Sequence, residues 1–442
     1  MEVTTAGFRA VPTALDAAAA ELTGSADRLN TIRGQLTTQA IDGKAFGLVP
    51  QSQRAMQAHG NSLQLSSTEL ESAATQTRRL ATGVTATVTN YRRGDTQVSQ
   101  AFRQLLGGLA GGTTLAATGA TGATAPAGTT PFGTRIAANR SAITAELAAE
   151  RQRLAGYQAQ LTGDPAVDHR LQETITRSQA RIELYENVIA ENRKILSFDP
   201  SGDGSMVELV GDIDAGTRNV AVFVPGTFSE LANFERYRDA AAGFVDAAPR
   251  RDLAMVTWMD GDLPSNLFPQ APSASYADNL GPRLADFSRE LRAEIAGSAA
   301  AGNDVQVTFA GHSYGGAVVG TAEQHGLDAD RVLHIESAGM GHDVDGPEDL
   351  RPAQPDVQRY SMTAPGDPIA WVRDINIFNW GHGADPDEFP GVVRLETGNY
   401  PDGRPLEGTS AHSDVLTYHS DAWWNMYQVF TGGPVVTVPS TP

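Results

Sequence analysis

The stretch VQVTFAGHSYGGAVVG, residues 305–320, passes from an apolar, β-branched segment through a glycine-rich turn into a small-residue helical segment. It reads as strand, G-x-S-x-G turn, helix. Such a turn is tight enough to hold Ser313 in a strained backbone conformation, and side chains in place of Gly311 and Gly315 would collide with neighbouring elements. The serine hydroxyl is thereby presented at a helix start, where free N–H groups favour a developing oxyanion. A bare G-x-S-x-G is a weak signal in a chain with 45 glycines, and the flanking strand and helix give it weight. Ser313 is the candidate nucleophile.

Working outward, apolar strand-like segments alternate with helical ones from Met206 onward. Strands are expected at 206–210, 219–224, 253–258, 305–310, 331–336, 357–363 and 392–395, and helices at 233–246, 279–296, 316–325 and 420–430. Continuous apolar strands alternating with helices predict an α/β fold, with a mostly parallel sheet covered on both faces.

The segment from Phe198 to the C-terminus resembles the actinobacterial α/β-hydrolase family of uncertain substrate. The marks are Gly211-Asp212-Ile213-Asp214 before a strand, Val224-Pro225-Gly226-Thr227 ending one, the GHSYG turn, and a late His412-Ser413 pair. The resemblance implies an α/β-hydrolase fold, in which acid and histidine follow the nucleophile in chain order. Asp367, in Ala364-Pro365-Gly366-Asp367-Pro368 after the 357–363 strand, is the candidate acid, with Glu336, Asp343 and Asp345 as rivals. His412 is the candidate base and His419 its competitor. His312, inside the turn, is expected to pack beneath it. Backbone donors for the oxyanion are expected from Tyr314 and from Thr227 or Phe228, where Gly226 permits close approach. The connection 336–357 has no room for a large cap, which predicts an open site. Leu263, Leu267, Phe268, Phe378 and Trp380 are candidates to wall an acyl chain, although apolar residues in such loops more often belong to local core.

The front of the chain is helical. A seam at Leu15, Leu22, Leu29 and Leu36, and a second from Leu63 to Tyr91, predict a hairpin over 1–106. Residues 107–133, almost all Gly, Ala and Thr, predict a flexible linker. Seams from Ile143 to Leu161 and from Leu171 to Leu196 predict a second hairpin over 134–197, leaving 198–442 for the catalytic domain. Both hairpins expose an apolar stripe that needs a partner. The first hairpin resembles the small helical-hairpin substrates of type VII secretion, with Ala45-Phe46-Gly47 in place of Trp-x-Gly. Tyr91 and Asp95 match the Tyr-x-x-x-Asp/Glu export signal. That resemblance implies secretion machinery or a helical partner, and a secreted or envelope location; otherwise the protein is cytoplasmic.

Composition narrows the rest. There are no cysteines, so disulfides and thiol catalysis are excluded. No apolar run approaches the ~20 residues of a transmembrane segment. Residues 199–442 hold 14 basic against 36 acidic side chains, while 1–198 hold 19 against 16. An acidic catalytic domain repels polyanions, so nucleic acid is not an expected partner. The Asp-rich turns at 199–203 and 343–345 lack calcium-loop spacing, and no cofactor or metal is expected. Together these readings predict a serine carboxylic-ester hydrolase acting on ester, lipid or thioester substrates through an acyl-enzyme. The alternatives are a non-catalytic binding or scaffold protein on the same fold, or an acyltransferase.

Overall fold

The computed structural model describes residues 131–248, 252–266, 270–367, 369 and 381–439, and the isolated helical positions 23, 24, 27, 28, 30, 31, 33, 34 and 78. The rest of the first hairpin, Tyr91, Asp95 and the linker up to residue 130 lie outside the described residues. Within the first hairpin, Arg78 donates to Asp27 at 2.6 Å. The chain divides into two units, Met1–Gly122 and Ala123–Pro442, and the elements below belong to the second.

Eight strands form one sheet: β1 Lys194–Asp199, β2 Ser205–Val210, β3 Asn219–Val224, β4 Leu253–Met259, β5 Gln306–His312, β6 Arg331–Ile335, β7 Gln358–Met362 and β8 Val392–Leu395. Their order is β1-β2-β4-β3-β5-β6-β7-β8. The pairs β1–β2 and β2–β4 are antiparallel, and all other neighbours are parallel. Strands β2, β3 and β4 are buried along their whole length, because helices cover both faces.

On one face lie the helices α1 Phe132–Gln158, α2 Pro165–Ala190, α4 Ser275–Gly297 and α5 Tyr314–Gln324. On the other lie α3 Phe234–Ala247, the short α6 Ala411–Asp414 and α7 Asp421–Thr431. This is the α/β-hydrolase fold. It aims the C-terminal ends of β3, β5, β6 and β7 at one edge, and the loops leaving those strands build the site.

The second hairpin finds its partner inside this fold. Ile143 of α1 and Leu184, Tyr185 and Val188 of α2 share a buried cluster with β1, β2, α4 and α5. Phe132, expected at the end of the linker, instead begins α1. Its ring stacks on Phe287 of α4 at 6.2 Å, and its N–H donates to Glu294. The two polar seam residues Glu150 and Ser178 meet each other across the hairpin.

The strand β1 corrects the sequence reading, in which the second helix ran on to Leu196. The helix stops at Ala190, Asn192 adopts the left-handed conformation (φ 55°), and the Arg193 N–H bonds back to the Val188 carbonyl. Asn tolerates that conformation better than most residues. Arg193, just beyond it, is buried and forks onto Glu208 of β2 at 2.9 and 2.6 Å while reaching Glu235 of α3 at 2.7 and 2.9 Å. From α1, Arg135 and Asn139 donate to the backbone carbonyls of Leu196 and Ile195 on β1, at 3.0 and 2.9 Å.

Candidate active site

The turn after β5 has the strain its sequence requires. Ser313 sits at φ 57°, ψ −122°, between the strand and the first residue of α5. A Cβ on Gly311 would lie 2.3 Å from the Gly315 carbonyl oxygen, and one on Gly315 would lie 2.2 Å from that of Val224. No side chain fits either gap. The turn is held from beside as well: Ser313 N–H donates to Ile335 O at 2.9 Å, and Ala338 N–H donates to Ser313 O at 3.1 Å.

The three candidate catalytic side chains meet. His412 Nε2 is 2.9 Å from Ser313 Oγ, and His412 Nδ1 is 2.8 Å from Asp367 Oδ2. Nδ1 carries the proton toward the carboxylate, which leaves Nε2 to accept from the serine hydroxyl. Burial alone would raise the Asp367 carboxyl. The hydrogen bonds from His412, Glu336 and the Ile369 N–H outweigh it, and the group is held at about 2. Asp367 therefore stays ionised wherever the imidazole is neutral.

The rival residues lie elsewhere or do something else. His419 is exposed just before the Ser420 cap of α7, stacked on Tyr418 and Trp424. Asp343 and Asp345 are exposed. Glu336 is fully buried at the site. Its Oε1 accepts from Ala364 N–H at 2.8 Å, and its carboxyl lies beside that of Asp367. Glu336, Asp367 and His412 place one ligand-capable atom each within 4.8 Å of one another. The imidazole nitrogen facing the carboxyls is already committed to Asp367, so the group has the character of a proton-holding chain rather than a ligand set.

His312 does more than fill space beneath the turn. Its Nε2–H donates to the backbone carbonyl of His412 at 2.7 Å, tying the nucleophile turn to the histidine's own segment. Complete burial, with His412 adjacent, pulls its imidazole down to about 3, so it remains a neutral donor. The sequence carries no sign of this bond, which spans 100 residues.

Of the expected oxyanion donors, Tyr314 N–H is the first amide of α5 and has no acceptor within its helix. The loop after β3 presses against the serine: a Cβ on Gly226 would be 2.7 Å from Ser313 Cβ and 3.2 Å from Oγ. Ser229 braces that loop by donating to Gly226 O at 2.6 Å. Phe228 is a correction. It is left-handed (φ 69°), half exposed, and its N–H donates to Pro264 O at 2.7 Å, so that amide is spent. Thr227 is then the candidate left for the second donor. Leu263 takes the local-core role: it is buried in the main core and does not wall the site. Leu267, Phe268, Phe378 and Trp380 lie outside the described residues.

Fold and site geometry thus have the form of the α/β-hydrolase fold, with a strained G-x-S-x-G turn between β5 and α5. Comparison with known proteins agrees at the level of fold: residues 199–377 match the family described as alpha/beta hydrolase. That span includes Ser313 and Asp367 and stops short of His412. No curated protein matches the chain. Similar solved structures include an α/β serine hydrolase without lid from Xanthomonas campestris, 15% identical over 47% of this chain and 84% of that one, with a TM-score of 0.28. A dienelactone hydrolase-like promiscuous phosphotriesterase from metagenomic libraries is 14% identical over 54% and 97%, with a TM-score of 0.28. A 2,6-dihydroxy-pseudo-oxynicotine hydrolase is 12% identical over 64% and 89%, with a TM-score of 0.33. Among the described residues no helix is long and apolar enough to cross a membrane.

Proposed function

We propose that this protein hydrolyses carboxylic esters, lipid esters or thioesters among them, through an acyl-enzyme on Ser313. The observation that carries the reading is the unbroken chain Ser313 Oγ, His412 Nε2, His412 Nδ1, Asp367, with both links within 2.9 Å. His412 takes the serine proton as Oγ attacks the carbonyl carbon, and Asp367 stabilises the imidazolium. Tyr314 and Thr227 N–H groups hold the oxyanion. The imidazolium returns the proton to the leaving alcohol or thiol, giving the acyl-enzyme. Water, deprotonated by the same imidazole, then releases the acid and restores the serine. A fluorophosphonate probe and p-nitrophenyl esters of graded chain length test this together. Wild type should be labelled and turn over, and Ser313→Ala should do neither. Equal labelling of the alanine variant would refute it.

We further propose that the first hairpin directs export by a type VII-like route, on the resemblance of residues 1–106 and the Tyr91/Asp95 pair. Deleting residues 1–106 should abolish export and leave esterase activity within about twofold, since Ser313, Asp367, His412 and the elements that carry them all belong to the second unit. Loss of activity in the truncated protein would remove the support for a separate export module.

A further inference from the structure

The acyl-transfer scheme uses one carboxylate, yet two meet beneath His412. Glu336 ends β6 with its backbone in the left-handed region (φ 44°), an uncommon conformation for a non-glycine residue. Its N–H donates to Met362 O of β7 at 2.8 Å, which pulls it toward the strand that leads to Asp367. The residue is wholly buried. Asp367 receives His412 Nδ1–H on Oδ2 and the Ile369 N–H on Oδ1, each at 2.8 Å. Glu336 receives the Ala364 N–H on Oε1. The two carboxyl groups lie together, with one oxygen of each within 4.8 Å of the other and of a His412 nitrogen.

Two carboxylates in buried contact cannot both ionise, because each disfavours the charge of the other. The charge settles on the group that faces the His412 Nδ1–H. That group is Asp367.

We propose that Glu336 is a positioning residue held as a neutral carboxylic acid, donating a hydrogen bond from Oε2 to Asp367. This rests on the reading of Asp367 as the partner of the catalytic histidine. The neutral acid fixes the Asp367 rotamer and takes up part of its negative charge, so Asp367 orients the imidazole without removing its proton. Among the described residues, the titratable groups found beside this pair are His412 on α6 and His312 at the end of β5, with Arg236 of α3 acting on His312. No proton leaves Glu336 during turnover.

The test compares the full-length wild type, Glu336→Gln and Glu336→Leu. The infrared difference spectrum of wild type minus Glu336→Gln at neutral pH should contain a carboxylic-acid C=O band. Gln can accept from Ala364 and donate to Asp367 as the acid does, so Glu336→Gln should keep kcat/KM within about threefold and leave the acidic limb of its pH profile in place. Glu336→Leu removes the donor. It should lower kcat about 10- to 100-fold with KM little changed, the scale of one hydrogen bond to a charged group. Its acidic limb should rise by about one pH unit, because an undamped Asp367 stabilises the imidazolium more strongly. Absence of the band would overturn the proposal, and so would a downward shift of the limb in Glu336→Gln, the mark of a lost negative charge. If Glu336→Leu fails to fold, the band in the wild type still decides. The band is independent of turnover, so it would persist even if probe labelling showed Ser313 not to be the nucleophile.

Discussion

Two clusters of buried charge lie on opposite sides of β3 in this sheet, and they spend their polar groups differently. At the β1–β2 side, Arg193 forks onto Glu208 and Glu235, so a guanidinium is matched by carboxylates with nearly every donor used. At the carboxyl ends of β5, β6 and β7, the line Ser313, His412, Asp367 and Glu336 depends instead on protons held between neighbours. Its residues also carry backbone strain, at Ser313 and Glu336. The first arrangement fixes three chain segments, α2–β1, β2 and α3, in one place. The second keeps the Ser313 hydroxyl one proton transfer from an alkoxide. Charge matched by a guanidinium makes for stability, and charge shared through protons on a strained backbone makes for reactivity.

Substitutions on each side should separate these roles. The largest effect is expected at the reactive line. His412→Ala should lower kcat about a thousandfold with the melting temperature little changed, while His419→Ala should be near wild type; steady-state kinetics and calorimetry on both variants check it. The opposite ranking would assign the base to the exposed ring. At the guanidinium cluster the sign reverses. Arg193→Ala strands Glu208 and should cost about 3–5 kcal/mol in urea unfolding, while kcat of the folded fraction stays within about twofold. A large fall in kcat there would show that the two clusters are coupled.

The smallest effect concerns His312, which belongs to both categories, being neutral yet part of the site. Its folded value, about 3, lies below the ordinary 6.5. Between those values the unfolded chain binds a proton that the folded one does not, so stability falls as pH falls through that window. Near pH 5.5 the loss should be about 1.2 kcal/mol relative to pH 7. His312→Gln keeps a donor for the His412 carbonyl and should remove that pH-dependent loss, as read from urea midpoints at the two pH values. An unchanged dependence would mean that His312 titrates normally.

That Ser313, Asp367 and His412 would come together was legible because chain order on this fold is a local grammar: a strand, a loop, a residue type. The Ser313 turn announces itself through glycine spacing, and Asp367 and His412 follow at the ends of recognisable segments. What was not legible depends on contacts between distant loops. Glu336 reads from sequence as a rival acid, and only the adjacency of β6 and β7 brings it onto Asp367. The Phe228 amide is lost to Pro264, a partner in another loop. Strand β1 was hidden because Lys194–Asp199 follows a helix without glycine or proline between them, and Leu196 continues the helical spacing. Asn192 was the one residue there suited to a helix stop.

The bonds from Arg135 and Asn139 to the carbonyls of β1 have a practical side. β1 is the outermost strand of the sheet, and an outermost strand with unoccupied carbonyls is a template for pairing with other chains. Here α1 lies along it and occupies two of them with side chains. A shortened chain begun at Phe198, where the sequence alone divides the domains, would cut β1 in two and strip that cover, and should aggregate. The shortest well-behaved form of the protein should instead begin just before Phe132, with the hairpin acting as a built-in guard against self-association.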